Sequence, residues 1–123
     1  MENAAILVAV VDDDESVRES LQGLLTELGF GAITFPTAAD FLESGVADKA
    51  QCLILDIAMP GMSGPELRRE LVTRGYSIPT IFISAHAEFA SKPDIREVAV
   101  DCLTKPFSDT ALFEALKRAL NSE

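Results

Sequence analysis

Six polar side chains that could hold a cation or a phosphate lie at or just after the ends of short aliphatic runs in this sequence. They are Asp12, Asp13, Asp14, Asp56, Ser84 and Lys105. Asp56 raises the sharpest question, because it closes the run LILD and leads straight into Met-Pro-Gly. A carboxylate in such a run costs folding free energy unless it is paired, coordinated or exposed at the end of a strand.

These residue types predict a site for a divalent cation and a phosphoryl group. Carboxylates that converge raise one another's pKa unless a cation lies between them. An all-oxygen site with few protein ligands suits Mg2+ better than zinc or a calcium cage. With Mg2+ bound, Asp56 could attack a phosphoryl group, since the ion screens the charge repulsion. Lys105 could then bind one phosphoryl oxygen and the Ser84 hydroxyl another.

Short aliphatic runs alternate along the chain with amphipathic segments that could position these residues. The runs at residues 6–11, 52–56 and 80–84 are continuous, as in strands covered by helices on both faces, and weaker runs at 32–35 and 100–103 predict edge strands. Helices are predicted at residues 17–28, 37–43, 63–74, about 92–99, and from 108 onward. Thr37 and the Ser63-x-x-Glu66 capping box mark two of the helix starts, and Pro93 shortens the fourth helix.

This alternation predicts an α/β fold in a single domain over residues 1–123: a flavodoxin-like, doubly wound, five-stranded parallel sheet of order 2-1-3-4-5. Five helices are expected, the fourth short or irregular. In such sheets ligands bind beyond the carboxyl ends of the strands, at the switch point between strands 1 and 3. Asp12, Asp13 and Asp56 fall at that point.

Each candidate residue also has an ordinary structural explanation. Asp14 could cap the first helix, or Ser16 with Glu19 could do so. Taken alone, Asp56 could be a turn acid, while Ser84 and Lys105 could be a strand-end hydroxyl and a surface cation. Their joint occurrence at four strand ends favours a functional site.

Composition and missing motifs exclude several function classes. With 20 acidic and 10 basic residues the net charge is -10, and no dense Lys/Arg run predicts direct binding to nucleic acid. Neither common Gly-rich nucleotide motif occurs. The apolar stretch AAILVAVV is too short for a signal peptide or a membrane span, so a soluble cytoplasmic protein is expected. Cys52 and Cys102 are expected to be free buried thiols roughly 9 to 10 Å apart, because strand 4 separates their strands.

Four segments of the sequence resemble the response-regulator receiver domain of two-component signalling. They are VVDDDESVRESL, LILDIAMPGMSGPEL, IPTIFISAHAE and LTKPF, and together they extend over essentially the whole chain. The segment FPTAADFL is similar to the FixJ-type subclass. The resemblance implies that Asp56 accepts a phosphoryl group from a sensor histidine kinase. Asp13 would bind Mg2+ directly, Asp12 often through water, and Ala58 through its backbone carbonyl.

The resemblance also implies roles for residues on the last two strands. Ser84 matches the Thr/Ser that moves to meet the phosphate, Lys105 matches the family's lysine, and the Lys105-Pro106 peptide bond would be cis. Cys102 replaces the Tyr or Phe that usually reports phosphorylation, and SKPDIREVAV departs from the usual fourth helix. Both departures fall on the surface of the fourth helix, fifth strand and fifth helix, through which a phosphorylated homodimer could form.

Three functions remain open from the sequence. The first is a phosphorylation-switched domain, not an enzyme beyond its own phosphorylation and dephosphorylation, that controls an output domain or partner in transcription regulation. A DNA-binding domain beyond residue 123 could supply the nucleic-acid contact. The second is an atypical receiver that binds a partner whatever its phosphorylation state, as Cys102 suggests. The third is a haloacid-dehalogenase-type phosphatase, which would need an acid where Ala58 stands.

Overall fold

Five parallel strands form one sheet in the computed structural model, which describes residues 6–86 and 101–121. The strands are β1 Leu7–Val11, β2 Gly31–Phe35, β3 Cys52–Asp56, β4 Thr80–Ser84 and β5 Asp101–Thr104. Their order is β2-β1-β3-β4-β5, which confirms the predicted switch point between β1 and β3. All residues of β3 and β4 are buried, whereas the edge strands β2 and β5 are mostly half-buried.

Four α-helices lie within the described residues. They are α1 Glu15–Glu27, α2 Ala38–Ser44, α3 Gly64–Thr73 and a C-terminal helix Asp109–Leu120, with a short 3-10 turn at Val46–Asp48. Five helices were predicted, and the fourth of them, at about residues 92–99, lies outside the described part of the chain. None of the described helices is long and apolar enough to cross a membrane.

The helix starts follow from local hydrogen bonds that the sequence signals. Asp14 caps α1 by accepting from the Ser16 amide, so Asp14 and not Ser16 is the cap. Thr37 caps α2, as predicted. Ser63 and Glu66 form the predicted capping box at α3, with amide-to-side-chain distances of 3.2 and 2.9 Å. Each cap satisfies amides that a helix start otherwise leaves unpaired.

Two apolar clusters pack on opposite faces of the sheet, because successive strand residues point to opposite sides. On one face Leu53 and Leu55 pack with Phe41 of α2 and Leu67 of α3. On the other face the alternate strand residues pack with α1 and the C-terminal helix. Helices therefore cover both faces, and the carboxyl ends of β1, β3, β4 and β5 meet at one edge.

Candidate functional site

Three carboxylates from two neighbouring strands come together at this edge of the sheet. Each of Asp12, Asp13 and Asp56, here called the acid cluster, offers one oxygen within 4.8 Å of the others. Asp12 is fully buried and Asp56 is 5% exposed, whereas Asp13 faces solvent. Asp14, the fourth predicted acid, lies outside this cluster and caps α1.

Lys105 reaches this cluster from the end of β5. Its amine lies 3.0 Å from Oδ2 of Asp12 and 3.7 Å from Oδ1 of Asp56. The lysine amide donates to the Ser84 carbonyl at 2.7 Å, and the peptide bond to Pro106 is cis. The three acids and the lysine thus lie close together, as their places at the strand ends predict.

Burial and the neighbouring charges in and around the acid cluster shift the pKa values of Asp56 and Lys105. Burial, followed by the nearby charge of Asp12, raises the pKa of Asp56 from 3.8 to about 6, while Lys105 acts in the opposite direction. Hydrogen bonding to Asp12 and the charges of Asp12 and Asp56 raise the pKa of Lys105 although burial disfavours its charge. The folded protein therefore keeps a carboxylate at Asp56 at a cost, and a further cation would lower that cost.

Asp12 is held in place from several sides. Its amide donates to the Phe35 carbonyl at 3.1 Å, and its Oδ1 accepts from the Asp14 amide at 2.9 Å. Arg18 of α1 donates Nη1 to the Asp12 carbonyl at 2.7 Å. The role of Arg18 was not predicted from the sequence, where its signal is a basic residue one turn into α1 after an acidic loop.

Ser84 ends β4 beside the cluster, but its hydroxyl is engaged locally. It donates to the His86 carbonyl at 3.1 Å and accepts from the His86 amide at 2.9 Å. Ser84 therefore lies at the end of β4, where the sequence predicts it, and its hydroxyl is bound to the turn that follows this strand.

Ala58 is exposed two residues beyond Asp56. Cys102 is half-buried on β5 opposite Phe82, less buried than expected, and both cysteines are free.

The donor chemistry of the cluster fits a hard divalent cation. Three carboxylates supply oxygen ligands only, and the exposure of Asp13 leaves room for the waters that Mg2+ retains. Within the described residues the grouping contains neither a histidine nor a cysteine ligand, which a zinc site would use.

Comparison with known proteins agrees with this geometry. Residues 8–117 match the response regulator receiver domain family. The transcriptional regulatory protein FixJ of Azorhizobium caulinodans is 39% identical over 114 residues, which are 92% of this chain and 54% of that protein. The chain spans about half the length of the curated relatives it matches.

Solved structures give the same result. The response regulator StyR has a TM-score of 0.88 at 42% identity, with 97% of this chain and 61% of that chain covered. The response regulator TrrA from Thermotoga maritima, solved in complex with Mg(2+)-BeF, has a TM-score of 0.83 at 29% identity and covers 93% and 98% of the two chains. On the family match over most of its length, this chain belongs to the response regulator receiver domains of two-component signalling.

Proposed function

We propose that residues 1–123 form one phosphorylation-switched signalling domain in which Asp56 accepts a phosphoryl group from the phosphohistidine of a sensor histidine kinase. The observation that carries this proposal is the position of Asp56. Its carboxylate ends a central strand, belongs to the acid cluster and lies 3.7 Å from the amine of Lys105. Asp56 is 5% exposed, so a donor would have to reach it from the carboxyl end of the strand.

In the proposed step, an Asp56 carboxylate oxygen attacks the phosphorus atom. The P–O bond forms, the P–N bond to the donor imidazole breaks, and the imidazole nitrogen keeps that electron pair. Asp12, Asp13, the Asp56 carboxylate and the Ala58 carbonyl would hold Mg2+. The bound ion would offset the negative charge on the phosphoryl oxygens. Beyond this self-modification the domain has no proposed enzymatic activity.

Lys105 and Ser84 would respond to the new phosphoryl group. The Lys105 amine, which now lies between two carboxylates, can bind a phosphoryl oxygen with a small movement. The Ser84 hydroxyl must give up its donation to the His86 carbonyl before it can donate to another oxygen. About two added negative charges would thereby change the turn after β4, and this turn would transmit the signal.

The donor has a suitable surface beside the acid cluster. A groove between α1 and the segment after β5 borders Lys105 and is lined by Val17, Leu21, Pro106 and Phe107. A kinase helix seated there would bring its phosphohistidine to the edge of the sheet. This groove supports the histidine kinase as the proposed partner.

The signal would leave through the β5 and C-terminal helix surface. Phe113 on that helix is 37% exposed, and Arg118 of the same helix pairs with Asp101 of β5. We propose a homodimer through this surface after phosphorylation. The relative FixJ is named a transcriptional regulatory protein, which supports a role in transcription. Such control would use a DNA-binding output domain. Two free thiols support a cytoplasmic location.

Acetyl phosphate with Mg2+ tests the proposal directly. The protein is expected to gain the mass of one phosphoryl group, and Asp56→Asn and the metal-free protein are expected to gain none. Size-exclusion chromatography with and without beryllofluoride then measures dimer formation. Absence of any mass gain in the wild-type protein would overturn the proposal.

A second function is favoured by Cys102. Its half-buried thiol is smaller than the aromatic ring usual at this place, so β5 has less means of reporting phosphorylation. The alternative is a receiver that binds its partner in either state. Equal dimerisation with and without beryllofluoride, together with normal phosphorylation, would favour this alternative.

A further inference from the structure

We infer that Gly64 is a positioning residue for the phosphoacceptor. The lack of a side chain there lets the first residue of α3 rest directly on the Asp56–Ile57 peptide, and this contact fixes where Asp56 and the Ala58 carbonyl lie relative to Asp12. The inference rests on the proposed function, because it concerns the reaction at Asp56.

The contact is too close for any other residue. A Cβ atom built on Gly64 would lie 2.4 Å from the Asp56 carbonyl oxygen, 3.1 Å from its carbonyl carbon and 3.3 Å from the Cα atom of Ile57. All three are backbone atoms, so no side-chain rotation can relieve the overlap. Ordinary van der Waals contact begins at 3.4 Å, so a relative displacement of about 1 Å would be needed.

Hydrogen bonds and packing hold both partners of this contact. The Ile57 amide donates to the Ile83 carbonyl at 2.9 Å, which ties the peptide to β4. The Gly64 amide donates to the Ile57 carbonyl at 3.1 Å, which ties α3 to the same peptide. Leu67 and Leu71 anchor α3 in the apolar core. A displacement must therefore be shared between the helix start and the segment that carries the acceptor.

A shift of this segment acts on the proposed reaction geometry. Mg2+ requires ligand distances near 2.0 to 2.1 Å in almost ideal octahedral geometry. Asp56 belongs to the Asp56–Ile57 peptide and Ala58 comes directly after it, so moving this peptide displaces two proposed ligands relative to Asp12. Misplacement of a reacting group by about 1 Å can reduce a rate about a hundredfold.

Gly23 offers a matched glycine control. It lies inside α1, and a Cβ atom there would meet nothing within 4 Å. Gly23→Ala should therefore stabilise α1 and leave the site unchanged. Leu71→Ala offers a second control, since it removes core packing from α3 about two helical turns away from Gly64.

The experiment compares Gly64→Ala, Gly23→Ala, Leu71→Ala and the Gly23→Ala/Gly64→Ala double variant. Magnesium affinity is measured by isothermal titration calorimetry at a temperature well below each melting temperature, and phosphorylation by acetyl phosphate is followed by mass spectrometry. We expect Gly64→Ala to weaken Mg2+ binding about tenfold or more and to slow phosphorylation by about ten- to a hundredfold. Leu71→Ala should lower the melting temperature but leave the Mg2+ affinity and the phosphorylation rate close to those of the wild type.

The outcomes separate this inference from the proposed function. Loss of Mg2+ affinity in folded Gly64→Ala, with normal values in both controls, supports the positioning role. Normal Mg2+ affinity and a normal phosphorylation rate in Gly64→Ala overturn it. A Gly23→Ala/Gly64→Ala double variant that stays unfolded despite the stabilising change at Gly23 also overturns it, because Gly64 would then serve folding alone. A wild-type protein that takes up no phosphoryl group overturns the proposed function instead.

Discussion

Replacing Asp56 with asparagine is expected to stabilise the metal-free protein at neutral pH. Asp56 is buried beside the carboxylate of Asp12, and these two causes raise its pKa from 3.8 to about 6. Above that pH the folded protein must carry a charge that its surroundings disfavour. Asparagine keeps nearly the same shape without the charge, so the strain on the folded state is removed.

The magnitude follows from the difference between the two pKa values. Asp56 with a folded pKa of about 6 corresponds to roughly 3 kcal/mol of lost stability above pH 6. We expect a measured gain of about 1–3 kcal/mol, since neighbouring groups relax around the charge. The gain shrinks as the pH falls from 6 toward 3.8, because Asp56 of the folded wild-type protein then becomes protonated and, like asparagine, carries no charge.

Urea denaturation followed by circular dichroism, with a chelator present, measures this gain at about pH 7.5 and about pH 4.5. Glu43→Gln, which removes an exposed charge on α2, is the control and should change stability by less than about 0.5 kcal/mol. Adding Mg2+ at about ten times its dissociation constant should stabilise the wild type by about 1.4 kcal/mol and the variant by less. Equal stability of Asp56→Asn and wild type at the higher pH, or a gain that does not depend on pH, would show that the Asp56 charge does not destabilise the folded protein.

Three further predictions concern single side chains. Ser63→Ala should lower the free energy of unfolding by about 1 kcal/mol, measured by urea denaturation, because it removes one half of the capping box at α3; an unchanged urea midpoint would contradict this. Iodoacetamide should label Cys102 and spare Cys52 in the folded protein, because burial raises the pKa of the Cys52 thiol to about 12; mass mapping that finds Cys52 modified first would disprove it. Lys105→Met should raise the pKa of Asp56 above about 6 in a carbon-13 NMR titration, because the lysine charge lowers it, and a fall would count against this account.

The strands and the helix starts could be predicted from the sequence because both depend on local patterns, and the strand order followed from the common order of doubly wound sheets. Continuous aliphatic runs mark β3 and β4 as buried on both faces, and this burial is observed. Thr37 and Ser63 are caps whose hydrogen bonds span three residues. The edge strand β2 was also predicted from its weaker run.

The details of the site could not be predicted, because they depend on atoms that are far apart in the chain. Lys105 pairs with Asp12 across 93 positions, and no local pattern records that distance. The Ser84 hydroxyl is an exception, because it bonds to His86 only two residues away, in a turn that the sequence did not predict. Cys102 is half-buried where the sequence predicted a buried thiol, since β5 is an edge strand.

The order and types of the residues are enough to predict which side chains stand at the ends of the strands, and therefore which chemistry meets at the edge of the sheet. Residue type and burial period are local properties, and they identified Asp12, Asp13, Asp56, Ser84 and Lys105. How these groups act on one another depends on tertiary packing. The raised pKa of Asp56 and the contact of Gly64 with the Asp56 backbone both arise from the packing of neighbouring elements, which no single segment specifies.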